Sequence, residues 1–474
     1  MSRVLPLILL AILFQCTNLA PKYVRPEKPV ADDWQAEIQS TQTQVYADLA
    51  WRSFYRDSQL QTLIERALQN NRDLRVAALN MERVRALFRI QAAEQLPQFE
   101  ANGSASYRRI PGDLAGSEHG IETHQYGVNL GLLSYELDFF GKIQNLKKGA
   151  LEQFLASSEA WKAAQISLVS QVGLAYVNLQ VDGARLELAQ KTLEAQQSAL
   201  NLAQRRFELG AASALSVKQA QISVDSARVE IAGLNRQIGL DQNALELLIG
   251  QPLERNQLRA LPIDADLLLT DLPAELSSEQ LLGRPDIQRS EHLLKAANAN
   301  IGAARAAFFP SIRLTASGGT ASASLSNLFQ SGSGAWSFVP QISVPIFTWG
   351  ETKAKVKVAK VDAEIALSQY EGTIQTAFRE VADGLTTQTF IKDQIQAQQA
   401  LVATAQESLR LSQARFERGV DSFLNVLDAQ RSLYAAQQGL LSVQADRLAN
   451  HVRLYRALGG GWDAHSSAAT AAQP

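Results

Sequence analysis

The chain has 474 residues, 46% of them apolar and 19% charged, which is length for about three ordinary domains and enough apolar material for a sizeable core. Lys and Arg total 45 against 47 Asp and Glu, a net charge of −2 that excludes both a nucleic-acid partner held by phosphate neutralisation and a disordered polyelectrolyte. Cys16 is the single cysteine and there are five histidines, which excludes internal disulfides and Cys-rich zinc or iron–sulfur sites, so no metal and no cofactor is expected.

Residues 1–15 read as a signal peptide: Arg3 precedes an apolar run from Val4 to Phe14, too short to cross a bilayer as a helix. Cys16 follows directly, where bacterial lipoproteins carry the cysteine acylated after signal cleavage. Leu13 suits that pattern, whereas Phe14 and Gln15 stand where small residues are usual. Export is expected, with N-acyl (palmitate-type) and diacylglycerol lipid on Cys16; Thr17 fits sorting to the outer membrane. No later segment approaches eighteen consecutive apolar residues, so any membrane crossing must be by strands.

The body is written twice, at a separation of about 210 residues. Asp73-Leu74 matches Asp286-Ile287 and Leu96-Pro97 matches Phe309-Pro310. Further on, Gly141 matches Gly350, Arg206-Phe207-Glu208-x-Gly210 matches Arg415-Phe416-Glu417-x-Gly419, and Ser213-x-Leu215-x-Val217 matches Ser422-x-Leu424-x-Val426. The offset shortens by about four residues between Pro97 and Gly141, where a loop between strands tolerates it. The division follows: lipidated segment and part of a further domain 16–60, first repeat 61–250, inter-repeat segment 251–285, second repeat 286–459, tail 460–474.

Each repeat reads as a helix, two strands and two very long helices. Phe99, Ala101, Gly103, Ala105 and Tyr107 alternate with polar neighbours, as do Tyr126, Val128, Leu130 and Leu132, where the register slips at Leu132-Leu133 as at a bulge. Ile312, Leu314 and Ala316 repeat the pattern, and a fourth strand carries Trp336, Phe338, Ile342, Val344 and Ile346 on one face. One apolar and one small polar face suit a transmembrane β-barrel, and equally a half-buried soluble sandwich. Four strands cannot enclose an aqueous channel, so a barrel requires several chains. No proline falls between Lys142 and Arg206, a stretch that as helix spans roughly 100 Å. Val172, Leu179, Leu186, Leu193, Leu200 and Phe207 recur every seven residues, as do Val217, Val224, Ile231, Ile238 and Leu245, and the second repeat carries matching seams except at Gln388 and Arg447.

These features together resemble the TolC family of outer-membrane efflux channels, in its OprM-like lipoprotein branch serving RND multidrug pumps. The resemblance is carried by Cys16 with Tyr23-Val-Arg-Pro-Glu, Trp51-x-x-Phe54, Asn70-Asn71-x-Asp73-Leu74, Leu282-Gly-Arg-Pro-Asp-Ile287 and Phe309-Pro310-Ser311. Val344-Pro-Ile-Phe347 with Trp349-Gly350, both Arg-Phe turns and Leu427-Asp-Ala-Gln-Arg431 complete it. It implies a mainly α fold with transmembrane β, in which a homotrimer pools four strands per protomer into a twelve-stranded barrel continued by a periplasmic α-helical barrel. It also implies a passive exit duct for drugs, antibiotics among them, fed by a periplasmic adaptor and an inner-membrane RND transporter, and an outer membrane lipid surround.

By the same resemblance Arg206, Phe207, Gly210, Ser213, Arg415, Phe416, Gly419 and Ser422 form adaptor-contacting tips, and Leu424, Asp428 and Arg431 form a periplasmic gate. Leu424, Asp428 and Arg431 fall at i, i+4 and i+7 and share one helix face, which a plain surface ion pair would also explain. Asn425 stands where TolC itself has an acidic gate residue. No P-loop, nucleophile elbow or His-x-x-x-His pair is present, so no catalytic residue is expected. A lipid-anchored coiled-coil scaffold without a pore is the competing reading, and it leaves the amphipathic strands idle.

Overall fold

The computed structural model describes residues 18–31, 50–116, 119–253, 267–269 and 278–460. The expected signal peptide and Cys16 lie outside the described residues, as do most of the inter-repeat segment and nearly all of the tail. In chain order the helices and strands are α1 (Trp51–Phe54), α2 (Ser58–Asn70), α3 (Arg72–Ala93), β1 (Phe99–Ile110), α4 (Gly112–Ala115), β2 (Ile121–Leu137), α5 (Lys142–Glu208) and α6 (Ala214–Ile249). The second repeat gives α7 (Pro285–Ala306), β3 (Ser311–Ser322), β4 (Gly334–Ser343), α8 (Glu351–Glu417) and α9 (Phe423–Ala457).

The duplication is visible residue for residue. Helices α3 and α7 have 22 residues each, strands β1 and β3 have 12, and helices α5 and α8 have 67. The repeats diverge in length mainly at β2, with 17 residues against 10 in β4. The sequence alternation suggested that β4 runs on to Ile346, but it stops at Ser343. β3 begins only after Pro310, so beyond the Ser311–Ser343 pair β4 has no partner residue to continue on.

The strands form one antiparallel sheet in the order β1-β2-β3-β4, leaving β1 and β4 as edges. The expected irregularity after Leu132 is present: β2 shifts register against β3 between Leu132 and Tyr135. Trp336, Phe338 and Ile342 on β4 are all more than half exposed, so the apolar face of this edge is bare in the protomer.

The chain divides into two compact units. One comprises Met1–Glu27, Asn80–Ser158 and Arg289–Tyr370 and holds the sheet; Phe140 stacks on Phe309 at 4.6 Å where strands give way to helix. The other comprises Lys28–Leu79, Glu159–Gln288 and Glu371–Pro474 and holds the hairpin ends of the long helices. Its core explains several motif residues as packing. Trp51, Phe54 and Tyr55 are fully buried, Phe54 stacks on Tyr455 at 3.9 Å, and a Cβ on Gly173 would lie within 3.0 Å of the Tyr55 ring. The Asn71 side chain accepts from the Leu74 amide at 2.8 Å and donates to the Leu248 carbonyl at 2.9 Å, capping α3 while fixing it to the end of α6. Arg284 of the Leu-Gly-Arg-Pro-Asp motif is buried against Asp286, Glu380 and the Ala457 carbonyl. Burial alone would lower its pKa, yet the two carboxylates raise it.

Candidate functional site

Both long hairpins are closed by the same device. Gly210 and Gly419 sit at φ of 71° and 74°. Each glycine amide donates to the carbonyl of the repeat phenylalanine (Gly210 to Phe207 at 2.9 Å, Gly419 to Phe416 at 3.0 Å). The following amide donates to the carbonyl of the arginine, Ala211 to Arg206 at 2.7 Å and Val420 to Arg415 at 2.9 Å. This is a Schellman cap, which needs the glycine but uses only the backbone of Arg and Phe. Ser213 caps α6, its hydroxyl accepting from the Ser216 amide at 3.2 Å, whereas Ser422 occupies the same position before α9 without a side-chain bond.

The Arg and Phe side chains therefore have a separate purpose, and here the two copies differ. The Arg206 guanidinium lies 4.4 Å from the centre of the Phe416 ring, so the first tip reaches across to the second. Phe416 in turn contacts Phe423 at 5.2 Å and packs on a cluster of Leu200, Ala203, Ala220, Val224, Phe423, Val426 and Leu427 drawn from both hairpins. Arg415 instead binds Asp421 through two nitrogens, at 2.6 and 3.1 Å, which holds the Asp421 carboxyl below the usual range. The first repeat has Ala212 where the second has Asp421, so Arg206 lacks that carboxylate. Phe207 faces outward at 48% exposure, and Leu209, Leu215 and Val420 of the two tips are exposed as well. Of the eight predicted tip residues, Arg206 and Phe416 thus form a shared inner brace, Arg415 is held by Asp421, Phe207 joins Leu209, Leu215 and Val420 in an exposed apolar fringe, Gly210 and Gly419 cap through the backbone, and Ser213 and Ser422 hold the N-cap positions.

On the first turns of α9, Leu424, Asp428 and Arg431 are exposed, while Phe423, Val426 and Leu427 are buried. The i, i+4, i+7 spacing thus places the three on one face, and Asp428 forms its ion pair with Arg431 inside the same helix. Two turns beyond, Gln438 donates to the Tyr434 hydroxyl at 2.6 Å and to Glu230 of α6 at 3.4 Å. Burial, then the nearby Glu230 carboxylate, push the Tyr434 phenol above its usual pKa. Sequence reasoning missed this brace and the Arg206–Phe416 contact. The Ala212-for-Asp421 difference between repeats was the available signal for the latter. Among the described residues no group of three or more His, Cys, Asp or Glu is placed to hold a metal, and no helix is long and apolar enough to cross a membrane.

The family model described as "Outer membrane efflux protein" matches the chain twice, over residues 63–251 and 276–460. The "Toluene efflux pump outer membrane protein TtgC" of Pseudomonas putida is 45% identical over 465 residues, 97% of this chain and 96% of the relative. The "Antibiotic efflux pump outer membrane protein ArpC" of Pseudomonas putida is 45% identical over the same shares. Among solved structures, the open state of the MtrE outer membrane channel of Neisseria gonorrhoeae superposes with a TM-score of 0.85 at 39% identity, covering 94% of this chain and 98% of that one.

Proposed function

The chain belongs to the outer membrane efflux protein family, and from that premise we propose that it is the passive exit duct of a tripartite pump, carrying drugs, solvents or other toxic compounds outward. Three copies join their sheets into one twelve-stranded barrel, and the long hairpins continue the duct into the periplasm. The outer fringe around Phe207, with the caps at Gly210, Gly419, Ser213 and Ser422, receives the hairpins of a periplasmic adaptor. Leu424, Asp428 and Arg431, tripled about the axis, form the resting constriction. An inner-membrane RND transporter supplies the energy, and lipid on Cys16 adds an anchor.

The observation that carries this reading is the sheet: four strands with an exposed apolar face and two open edges, one of them as long as 12 residues. Such a sheet satisfies its backbone in lipid only by pairing β4 of one copy with β1 of the next. The test is purified protein in a planar bilayer, with heat-modifiable migration on a gel and the drug and solvent susceptibility of a deletion strain. Discrete conductance from a heat-sensitive oligomer supports the duct. A monomer without conductance would return the chain to the scaffold reading.

A further inference from the structure

Directly paired residues of a sheet share a face, and neighbours along a strand alternate between faces. By that rule Phe99, Tyr126, Leu130, Trp336, Phe338 and Ile342 fall on one face, and Asn102, Ser104, Ser106, Ser317 and Ser337 on the other. Side-chain contacts agree: the Tyr107 and Tyr126 hydroxyls meet at 2.9 Å on the apolar face, and the Ser317 and Ser337 hydroxyls at 2.8 Å on the polar one. Charges are scarce on the polar face. At the end nearest the long helices it carries Glu100, and Glu136 shared between Arg313 at 3.4 Å and Lys142 at 2.9 Å, so both signs meet there. Toward the hairpin that joins β1 to β2, Arg108 is the one charged strand residue on this face.

Nothing in the fold occupies this guanidinium. Arg108 is exposed and, among the described residues, its side chain makes no hydrogen bond or ion pair. Its neighbour Arg109 falls on the opposite face and pairs with Glu122 at 3.7 Å, so the two arginines are not equivalent. β4, which the barrel would set beside β1, has no charged residue, and neither has the β3–β4 turn at residues 323–333. Asp113 in the β1–β2 hairpin is exposed and makes no ion pair with Arg108. Arginine keeps its charge at any working pH, so a permanent cation is left facing water with no structural employment.

We propose that Arg108, tripled in the barrel, forms a cationic ring just inside the outer mouth of the lumen and serves there as a weak, exchangeable site for small anionic solutes, carboxylates, sulfonates and phosphates among them. The inference rests on the trimeric barrel proposed above. Twelve strands about 4.8 Å apart and tilted by about 40° close on a radius of roughly 12 Å, so a solute can pass the ring without being trapped by it. In about 0.1 M salt the Debye length is about 10 Å and the three charges act over most of that lumen; in about 1 M salt it is about 3 Å and they do not. With one charge about 7 Å from a solute at the wall and two more across the lumen, a monovalent anion is enriched about twofold and a cation depleted to match, a combined preference of about fourfold.

Thiol labelling of the purified full-length oligomer in detergent tests this, with reporter cysteines placed on β1. Ser106→Cys shares the polar face with Arg108, two residues away, whereas Ala105→Cys lies on the apolar face. Each variant is treated with two methanethiosulfonates of similar size, one bearing a sulfonate and the other a trimethylammonium, and the wild type, with Cys16 alone, supplies the background. The anionic-to-cationic rate ratio at Ser106→Cys should exceed that of Ser106→Cys with Arg108→Gln by about fourfold in about 0.1 M salt and equal it in about 1 M. Arg108→Lys should keep the high ratio, because the charge and not the guanidinium fork is at work. Should Arg108→Gln fail to assemble, inorganic triphosphate at constant ionic strength still decides: it should slow the anionic reagent at Ser106→Cys and spare the cationic one, and equal effects on both would refute the ring. Equal ratios with and without Arg108, in protein that retains heat-modifiable migration, would overturn the ring and leave the duct standing. Ala105→Cys reacting as fast as Ser106→Cys, or a monomer on the gel, would remove the barrel itself and the ring with it.

Discussion

Replacing Asp428 by Ala removes one member of the ion pair on the proposed constriction face. In the protomer this pair is an i, i+3 contact between side chains 56% and 64% exposed, so its loss should change protomer stability by no more than about 0.5 kcal/mol. In the proposed trimer the same substitution acts three times at the axis. The pair inside each helix is common to both states and shifts nothing; what counts is the contact each Asp428 makes to its neighbours only in the proposed closed constriction, and three such losses of about 0.5 kcal/mol sum to about 1.5 kcal/mol, a shift of roughly tenfold in the closed-to-open ratio. The expected result is therefore a split: unchanged thermal unfolding, but a resting conductance in planar bilayers raised several-fold, with Arg431→Ala behaving alike. Raised salt should mimic part of the effect in the wild type, since exposed pairs are screened. Unchanged conductance in both variants, measured on intact oligomers, would refute the assignment of this face to the constriction.

Gly419→Ala places a side chain at φ of 74° in otherwise open space, so its cost is backbone strain alone, about 1–2 kcal/mol, and calorimetry should show a lowered unfolding midpoint together with weaker adaptor capture. Gly173→Ala drives a methyl to within 2.7 Å of the buried Tyr55 hydroxyl and should destabilise by about 1–3 kcal/mol in denaturant unfolding, whereas Gly183→Ala on the same helix, with nothing within 4 Å, should not. Glu291, which accepts from the Tyr23 hydroxyl and from Arg25 and pairs with Lys295, carries a pH signature as well. Burial works against the Glu291 carboxylate, but hydrogen bonds from Arg25 and Lys295 outweigh it, so its folded pKa lies below the ordinary value of 4.5. Its contribution is complete above 4.5 and is lost as pH falls through that depressed value. Hydrogen exchange of residues 19–25 should accordingly be flat from neutral pH down to about 4.5, once intrinsic rates are removed, and rise only in stronger acid.

Periodic features were legible because they are local. The doubled order of elements, the strand alternation and the slip after Leu132 all reappear, since each rests on residues adjacent in sequence. The heptad positions Val172, Leu179, Leu200, Val224 and Leu245 are buried, whereas Phe207, on the same register, emerges at the tip because its helix ends one residue later. The glycine caps at Gly210 and Gly419 are equally local, each closed by hydrogen bonds within the Arg-Phe-x-x-Gly stretch and the residue after it. What stayed hidden joins distant residues. Nothing near Arg206 announces Phe416, and nothing in Tyr-Val-Arg-Pro announces Glu291, some 266 positions away. The end of β4 was hidden for the same reason: its apolar alternation runs on through Ile346, but its partner strand begins only at Ser311.

The bare edges of β1 and β4 also constrain the order of events in the cell. A lone subunit that entered lipid would carry two rows of unsatisfied amides and carbonyls into hydrocarbon, at several kcal/mol for each group. Subunits must therefore meet before or during insertion, never after it. In the aqueous periplasm the same edges, flanked by Trp336, Phe338 and Ile342, invite misplaced strand pairing while they wait. A newly exported copy thus faces a race between finding its siblings and aggregating, and the rate of biogenesis should depend steeply on subunit concentration.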